Sequence, residues 1–449
     1  MAEKPEFTIV GAGLAGALLA CHLGKAGRRV DVYERRPDPR GHEQERGRSI
    51  NLALSVRGIE GLRAVGLADE VLRDAIPMRG RMIHSPAGEL AFQPYGKDPT
   101  QAINSVSRAG LNLTLITAAA RYDTVRLFFQ QKCTGIDLAS ATVELADTAT
   151  YTASKVACES VIAADGAYSA VRGQLQKHDR FNYHQDYETH GYKELTIPPA
   201  AQAHGLQPVG FALEKHALHI WPRHSFMMIA LPNLDGSFTC TLFWPYEGPN
   251  SFAAIQTEAD LRQFFEQHFT DALPLMPTLA HDFFANPVGP LVTIRCSPWH
   301  LDGRVALLGD AAHAVVPFLG QGMNAAFEDC TILDRCLAEH PSDRAAAFRD
   351  YETQRKPHTD ALAEMCVDNF LEMRDRVSSP LFRLGKKLGI LLHRLFPRWY
   401  VPLYTLITFT TTPYAAARRR AGIQDRVVRV SLVVLAVLAL AIVLYLVWP

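Results

Sequence analysis

A glycine-rich turn near the N-terminus constrains this chain more than any other feature. The apolar residues 7–10 run directly into Gly11-Ala12-Gly13-Leu14-Ala15-Gly16, and a helical pattern continues to residue 26. A second apolar run over residues 29–33 ends at Glu34. The order strand, glycine turn, helix, strand, acid predicts a Rossmann-type unit that binds a dinucleotide.

Each residue of this unit has an expected role. Gly11 permits a tight turn, and Gly13 lets backbone N–H groups approach a pyrophosphate at the helix N-terminus. Gly16 allows close packing of helix on strand, and Glu34 lies at the right distance to accept hydrogen bonds from ribose hydroxyls.

Two later segments decide between NAD and FAD. Residues 161–164 are apolar and end in Asp165-Gly166, while residues 307–310 form an expected strand that ends in Asp310. An Asp at the carboxyl end of a parallel strand faces the ligand crevice, where Asp310 can accept a hydrogen bond from a ribityl hydroxyl. The glycines around Met323 and Asn324 let backbone approach a flavin ring, and the chain has no second GxGxxG. We therefore expect bound FAD, with any nicotinamide cofactor binding only transiently.

Composition limits the other classes of function. A chain of 449 residues suggests two or three folding units. Its formal net charge of zero provides no basic field for nucleic acid. The eight cysteines show no Cys-x-x-Cys spacing, so we expect reduced thiols and neither a zinc site nor a disulfide framework.

The C-terminal segment predicts a membrane anchor. Residues 430–448 are apolar except for Ser431, and as a helix they would span about 28 Å, against a hydrocarbon core of roughly 30 Å. Five arginines, the last being Arg429, precede the segment and should stay on the cytoplasmic side. We expect a tail anchor in the bacterial inner membrane or, in a eukaryote, the mitochondrial outer membrane. The alternative is a hydrophobic helix that binds a partner or a second copy.

Several segments carry a family resemblance. The three flavin segments resemble those of the para-hydroxybenzoate hydroxylase-like flavoprotein monooxygenases. Five further segments resemble the kynurenine-hydroxylating subfamily, over residues 7 to about 415; they are residues 47–55 (Gly-Arg-Ser-Ile-Asn-Leu-Ala-Leu-Ser), 78–84, 190–195, 219–222 and 315–318. The 47–55 run is the most specific of them.

The resemblance implies a reaction. L-Kynurenine, NADPH and O2 would give 3-hydroxykynurenine, NADP+ and water, as a step of tryptophan degradation. In that family a C4a-hydroperoxide of the reduced flavin transfers oxygen, so no protein side chain is expected to act as the catalyst. The protein must instead position the ring and exclude water, and the expected pocket wall beside the flavin is Pro317, Phe318, Gly320 and Gln321.

Substrate contacts follow from the same motifs. Arg81 resembles the arginine that binds the substrate carboxylate, with Tyr95, Asn369 and Tyr404 as further polar contacts. From the sequence alone, Arg81 in a surface salt bridge and structural tyrosines are the competing interpretations. Apolar candidates for the ring contact are Leu218, Met227, Ile229, Phe243 and Met373, for which plain sheet core is the alternative.

The expected cofactor contacts extend beyond the glycine turn. Arg108 and Ala53 match flavin contacts of the family. The full set is Gly11, Gly13, Leu14, Ala15, Gly16, Glu34, Arg35, Arg36, Ala53, Arg108, Cys133, Asp165, Asp310, Gly322, Met323 and Asn324. His313 is interpreted as a structural residue of the Asp310 turn rather than an acid or base.

The expected fold class is α/β: a Rossmann-type FAD-binding domain interleaved with an antiparallel-sheet substrate domain, a C-terminal helical region and one transmembrane helix. The expected boundaries are 1–178 and 291–371 for the FAD-binding domain, 179–290 for the sheet domain, 372–425 for a helical cap and 430–448 for the anchor, with residues 79–96 contributing to the substrate site. Two other functions remain open at this point: a flavin monooxygenase of another aromatic acid or a membrane lipid, and a flavin-binding interaction protein.

Overall fold

The structure is a computed structural model that describes residues 4–41, 51–96, 100–200, 210–371 and 380–447. Three sequence expectations fall outside these residues: the start of the 47–55 motif, the pocket residue Met373, and Trp448 at the end of the anchor.

Strands and helices alternate through the first third of the chain and then separate into a strand-rich middle and a helical end. The strands are β1 (Phe7–Val10), β2 (Val30–Tyr33), β3 (Asn51–Leu54), β4 (Ile76–Met78), β5 (Gly80–His84), β6 (Leu90–Pro94), β7 (Ile103–Ser107), β8 (Val125–Phe128), β9 (Gln131–Asp137), β10 (Thr142–Asp147), β11 (Ala153–Ala157), β12 (Ser160–Ala163), β13 (Asn182–Ile197), β14 (Ala217–Arg223), β15 (Phe226–Pro232), β16 (Phe238–Pro245), β17 (Gly289–Ser297), β18 (His300–Leu301) and β19 (Val305–Leu307). The helices are α1 (Leu14–Lys25), α2 (Val56–Ala64), α3 (Ala68–Arg73), α4 (Arg108–Ala119), α5 (Ala170–Leu175), α6 (Glu258–His268), α7 (Leu279–Ala285), α8 (Asp310–His313), α9 (Gly322–Glu339), α10 (Arg344–Leu371), α11 (Pro380–Leu395), α12 (Leu403–Thr408) and α13 (Tyr414–Val447).

A largely parallel six-stranded sheet carries the nucleotide-binding edge, in the order β18-β19-β12-β1-β2-β8. Its central strands β1, β2 and β12 are buried on both faces, which explains their continuous apolar runs. Val10 pairs with both Tyr33 and Ala163. This register brings the glycine turn, Glu34 and Asp165 to one edge of the sheet, as the sequence predicted.

One strand ends earlier than expected. The run predicted as a strand over residues 307–310 is wrong at its end, since β19 stops at Leu307 and Asp310 is instead the first residue of the short helix α8. The physical reason is Gly309, which adopts φ +59° and turns the chain out of the strand. The Asp310 carboxylate therefore lies at a helix start, where its charge complements the helix dipole.

The second large sheet has seven strands, in the order β17-β13-β16-β15-β14-β5-β6. The expected strands around Leu218, Met227 and Phe243 are confirmed as β14, β15 and β16. The expected antiparallel pairing of these strands is confirmed, and the sheet also includes β5, which pairs with β14 in parallel. Strand β5 comes from the upstream FAD-binding segment and enters the sheet at its edge, so no hairpin fixes its direction.

The two faces of this sheet have different partners, because successive side chains on a strand point to opposite faces. Met228, Leu242 and Trp244 pack on one face in a core shared with helices α6 and α7. Met227 and Phe243 pack on the opposite face, against residues of α10, α12 and the segment before α9.

The C-terminal part of the chain is helical. Helix α13 runs without a break from Tyr414 to Val447, so the expected helical cap and the expected anchor share one helix. Among the described residues it is the one helix long and apolar enough to cross a membrane, and none of its most apolar stretch is buried. Large apolar side chains, among them Leu435 and Ile442, are thus fully open to the surroundings.

Candidate active site

The glycine turn after β1 leaves no room for side chains at two of its positions. Gly11 has φ +98°, and a Cβ built there would lie 2.6 Å from the Ala164 carbonyl oxygen. A Cβ on Gly16 would lie 1.9 Å from the Gly11 carbonyl oxygen. Gly13, in contrast, has no described atom within 4 Å of the corresponding position. The space beside Gly13 and the first turn of α1, with Leu14 and Ala15, suits the pyrophosphate of a dinucleotide.

Glu34 follows β2 at the same edge, and its side chain is buried. The carboxylate accepts hydrogen bonds from the Ala12 N–H (2.8 Å) and from Arg36 Nε (2.8 Å). Burial opposes ionisation, but the hydrogen bonds from Arg36 and Ala12 outweigh it and lower the Glu34 pKa. Glu34, the predicted ribose acceptor, is therefore ionised, and it also binds Arg36. The neighbouring Arg35 side chain is exposed. Sequence reasoning missed Asn112 on α4, which donates to the Ala12 carbonyl at 2.9 Å.

Asp165 and Cys133 line the next part of the edge. One Asp165 carboxyl oxygen accepts from the Ala170 N–H (2.8 Å) at the start of α5. The other is buried without a hydrogen-bond partner among the described residues, and burial raises the Asp165 pKa. The Cys133 thiol donates to the Gly135 carbonyl on its own strand (3.4 Å), and burial raises its pKa to about 12. Cys133 is a neutral packing residue here, whereas Asp165 keeps a free acceptor.

The Asp310 side chain is exposed to solvent, although protein groups surround it closely. Desolvation by these groups raises its pKa, and His313 and Arg108, the exposed first residue of α4, partly offset this effect. An open carboxylate at this point, the unpartnered oxygen of Asp165 and the vacant space beside Gly13 lie along one edge. Together they fit the ribityl, ribose and pyrophosphate groups of FAD.

Asn324, near the start of α9, joins three segments around the expected flavin ring. Its side-chain Nδ2 donates to the carbonyls of Ala53 and Gly320, both at 2.9 Å, and its Oδ1 accepts from the Ser55 N–H at 2.9 Å. Gly320 has φ +62°, and a Cβ there would approach the Ala53 Cβ to 3.1 Å. The structure thus brings together residues that the sequence had predicted separately; Gly322 and Met323 follow in the first turn of α9.

A buried network of charges lies behind the Asp310 turn. Asp329 accepts from His313 Nε2 (2.6 Å) and Arg355 Nε (2.6 Å), and Glu328 bridges Arg355 (2.7 Å) and Arg57 (2.9 Å). Burial of Asp329 opposes its charge, but His313 and Arg355 outweigh this and lower its pKa. Because the His313 ring nitrogen is engaged by Asp329, the geometry favours its structural interpretation.

Replacing Asp329 with asparagine is expected to destabilise the protein by about 3–5 kcal/mol at pH 7, since it leaves Arg355 buried with an incomplete set of partners. The folded pKa of Asp329 is lowered, so its stabilisation is present above its unfolded pKa of about 3.9 and is lost as the pH falls through the folded pKa. Thermal unfolding of wild type and variant between pH 7 and pH 3.5 should show that the difference in their free energies of unfolding narrows only below about pH 4.

Glu328→Gln is the matched control. Because the Glu328 side chain is one-fifth exposed, this substitution should lower the free energy of unfolding less than Asp329→Asn does. An equal loss of stability in the two variants would contradict the role of burial.

Arg81 lies on β5 beside Leu218 of β14 and faces a cluster of aromatic rings. Its guanidinium carbon is 4.3 Å from the centre of the Tyr404 ring and 5.8 Å from that of Tyr95, and the two rings lie 5.7 Å apart. The Arg81 Nε and the Tyr95 hydroxyl are buried without hydrogen-bond partners among the described residues. Burial raises the Tyr95 pKa well above its usual range, so the phenol stays a neutral donor. Desolvation of a guanidinium that has no ion pair among the described residues is costly, and an anionic ligand would offset that cost.

The apolar candidates pack around this aromatic cluster and around the segment before α9. Leu218 and Ile229 pack with Tyr95, Tyr404 and Phe409, a residue that the sequence did not identify. Met227 and Phe243 pack with the segment before α9, where the Phe243 and Phe318 ring centres are 5.1 Å apart. All four predicted sheet residues therefore lie on the same face of the sheet as Arg81.

Residues from α10 close the pocket opposite the sheet. Phe318 stacks on Phe370 with ring centres 4.4 Å apart, and the Asn369 amide donates to the Phe318 carbonyl at 3.1 Å. Asn369 thus supports the wall, and its side chain is half-buried. Pro317 is the exposed first residue of the short 3-10 helix Pro317–Leu319.

The pocket wall is also tied to the start of helix α13. The Tyr414 hydroxyl donates to Gln321 Oε1 at 3.0 Å, and both side chains are buried. The Arg57 guanidinium lies over the Tyr414 ring, 4.1 Å from its centre. Neither contact was predicted, since no local pattern links residues so far apart in the chain.

Comparisons with known proteins identify the family to which this fold belongs. The family model described as FAD binding domain matches residues 5–365. Proteins named kynurenine 3-monooxygenase are similar to this chain over nearly their whole length. The relative from Myxococcus xanthus is 48% identical over 95% of this chain and 90% of its own, and that from Dictyostelium discoideum is 46% identical over 93% and 90%. The relative from Sus scrofa is 42% identical over 96% and 89%.

Solved structures share the fold at lower identity. The tetrameric form of 2-methyl-3-hydroxypyridine-5-carboxylic acid oxygenase has a TM-score of 0.65 at 20% identity, covering 84% of this chain and 95% of its own. PqsL of P. aeruginosa, in complex with 2-aminobenzoylacetate, has a TM-score of 0.66 at 22% identity, covering 83% and 98%. The overall architecture is therefore that of the FAD-dependent monooxygenases.

Proposed function

The chain belongs to the kynurenine 3-monooxygenase family of FAD-binding flavoproteins, and on that premise we propose that it hydroxylates L-kynurenine. The reaction takes L-kynurenine, NADPH, a proton and O2 to 3-hydroxykynurenine, NADP+ and water. One oxygen atom enters the ring beside the aromatic amine, and the other leaves as water. The observation that carries the proposal is the half-buried Arg81, which has no ion pair within the described residues and lies against the rings of Tyr95 and Tyr404.

FAD, when bound, accepts the reducing equivalents of NADPH and activates O2. The residues that would hold it are those of the glycine turn, the open carboxylate of Asp310 and the segments joined by Asn324. The protein contributes binding, orientation and a dry environment, and no side chain acts as a nucleophile.

Substrate orientation follows from the polarity of the pocket. Arg81 offers a planar pair of donors to the amino-acid carboxylate, and Tyr95 offers a hydroxyl. The aromatic ring then packs against the apolar face formed by Leu218, Met227, Ile229 and Phe243. Because these walls contain few polar groups, they exclude water from the reacting carbon.

We propose the same domain boundaries as the sequence indicated. Strands β5 and β6 contribute to the substrate site, and Arg81 lies on β5. We also propose that α13 anchors the protein in a bilayer and that the arginines before residue 430 keep the catalytic part on the cytoplasmic side. The membrane would be the inner membrane of a bacterium or the outer mitochondrial membrane of a eukaryote. Exposed apolar side chains along the helix support this proposal.

Ending the chain after residue 429 is expected to release the protein from membranes without loss of activity. The Tyr414 and Arg57 contacts with the pocket all precede this point. Flotation of full-length and shortened protein with neutral phosphatidylcholine vesicles, together with kynurenine turnover per FAD, would check this expectation. A shortened protein that still floats would contradict the anchor, whereas one that loses FAD would mean that the apolar part of α13 supports the fold.

The function itself is tested by NADPH oxidation in detergent, with and without L-kynurenine, with 3-hydroxykynurenine and H2O2 quantified together. Kynurenine-dependent oxidation that gives 3-hydroxykynurenine in nearly one-to-one ratio is expected. If kynurenine has no effect, or produces only H2O2, the substrate assignment fails although the flavin site stands. Other aromatic acids and then lipids would be the next substrates to assay.

A further inference from the structure

An open notch lies where the chain between α11 and α12 meets the base of α13. Its volume is about 400 Å³, and it is separate from the flavin and substrate pockets. The residues that line it include Arg398, Trp399, Arg419, Arg420, Ile423 and Gln424. Nothing in the proposed reaction uses this notch, which we call the basic notch.

The basic notch carries positive charge that the protein does not neutralise. Arg398, Arg419 and Arg420 form no ion pair with any residue of the described ranges, although Arg420 donates to the Arg398 carbonyl at 3.1 Å. Arg418, on another side of the same helix, differs in that it pairs with Glu364 and Asp368. Arginine side chains left open in this way are suited to bidentate binding of phosphate.

Gln424 supplies a second, independent indication of a ligand. Its side chain is 5% exposed, and its Oε1 accepts from the Val401 N–H at 3.1 Å, which fixes the orientation of the amide. The opposite end, Nε2, is buried without a hydrogen-bond partner among the described residues. A buried donor with no acceptor is costly, and a phosphate oxygen would satisfy it. Asp425, the acidic residue of α13, accepts from the Tyr400 hydroxyl at 3.2 Å.

The surroundings of the basic notch are apolar and exposed. Trp399 is 48% exposed, and Leu391, Leu395 and Phe396 beside it are also open. On α13, Ile423 and Val427 continue this surface toward the apolar segment that begins at Val430. Exposed apolar patches of this kind mark interaction surfaces, and a tryptophan is typical of the membrane interface.

The notch lies on the cytoplasmic side of the apolar segment, close to the lipid headgroups. Ile423 precedes Val430 by seven residues, or about 10 Å, and Arg420 and Arg419 precede it by ten and eleven residues, or roughly 15–17 Å, at 1.5 Å per residue. A headgroup layer is roughly 5–8 Å thick on each side of the hydrocarbon core. Long arginine side chains extend several ångströms toward that layer. With their side chains extended along α13, the guanidinium groups of the basic notch therefore approach the outer edge of the cytoplasmic headgroup layer.

We propose that the basic notch binds the phosphate headgroup of an anionic phospholipid in the membrane that α13 enters. This inference rests on the proposed anchor, and it adds a specific lipid contact that holds the catalytic part against the bilayer. The arginines and Gln424 bind the phosphate, and Trp399 and Ile423 flank it on the apolar side of the notch. Its occupant is a lipid of the leaflet rather than free phosphate, because the apolar surface leads directly into the membrane segment.

The test uses full-length protein in a neutral maltoside detergent, titrated by calorimetry with soluble dihexanoyl phosphatidylglycerol, dihexanoyl phosphatidylcholine and inorganic phosphate. Saturable binding of phosphatidylglycerol is expected, with at least about tenfold weaker binding of the other two. Arg419→Gln with Arg420→Gln should weaken phosphatidylglycerol binding at least about tenfold. Arg426→Gln with Arg429→Gln is the matched control, since it removes the same charge from the same helix outside the notch, and it should change binding less than about twofold.

An equal loss of phosphatidylglycerol affinity in the two double variants would overturn the proposal, since it would indicate diffuse electrostatic attraction to the helix instead of a specific site. Equal binding of phosphatidylcholine, or of inorganic phosphate, would overturn the choice of an anionic lipid. Arg398→Gln, on a different segment, repeats the test should the double variant fail to retain FAD. Flotation with neutral vesicles reports separately on the anchor, so a failed anchor and a failed notch are distinguishable.

Discussion

Arg81→Met is expected to lower kcat/KM for L-kynurenine by a factor of about a hundred or more, mainly through KM. The Arg81 guanidinium is the positive charge of the proposed substrate pocket, and losing the partner of a carboxylate at a desolvated site costs about 2–5 kcal/mol. A poorly held ring also leaves the reacting carbon misplaced, so the fraction of NADPH that ends as H2O2 should rise. Steady-state kinetics with coupled product and H2O2 assays would measure both effects.

Two further measurements separate substrate binding from structural support. Because Arg81 has no ion pair within the described part of the chain, the Met variant should keep its Tm and FAD content. Arg79→Met, at an exposed arginine just before β5, is the matched control and should leave the kinetics unchanged. A large drop in Tm with unchanged KM would show that Arg81 supports the fold and would remove the main argument for an acidic substrate.

Gly16→Ala is expected to abolish FAD retention, with a Tm several degrees below that of wild type. The added Cβ would lie 1.9 Å from the Gly11 carbonyl oxygen, so α1 and the turn after β1 must separate. Such overpacking typically costs about 1–3 kcal/mol and here falls directly on the cofactor edge. The ratio of flavin to protein absorbance after purification, together with thermal unfolding, would measure the result.

Gly13→Ala provides the contrast within the same turn. Its Cβ meets no described atom within 4 Å, so the Tm of the cofactor-free variant should equal that of cofactor-free wild type. FAD affinity should nevertheless fall at least about tenfold, because the methyl group occupies the space offered to the pyrophosphate. Normal FAD affinity in Gly13→Ala would place the pyrophosphate elsewhere.

Local order made the nucleotide edge predictable. A strand, a glycine turn and an amphipathic helix follow one another within about thirty residues in such a unit, so the sequence pattern reflects contacts between neighbours in the chain. The same holds for β14, β15 and β16, whose alternating residues identified the face that Leu218, Met227, Ile229 and Phe243 share.

Contacts between distant segments were not predictable in this way. The Asn324 amide reaches Ala53, and Tyr414 reaches Gln321, without any periodic pattern that marks them. The parallel pairing of β5 with β14 likewise depends on how two domains interleave. Arg81 was identified through resemblance to a family, and its burial and lack of an ion pair became visible only from the packing of Tyr95 and Tyr404 around it.

The alternation along β15 and β16 has a consequence for how such enzymes diversify. Met228 and Leu242 hold the sheet to its supporting helices, while Met227 and Phe243, one position away, lie on the opposite face, which we propose to be the substrate side. Selection for stability and selection for substrate range therefore act on interleaved but separate sets of positions. A lineage can change the shape of its pocket by single substitutions without eroding the core, which is one physical reason that a single fold can come to serve many aromatic acids.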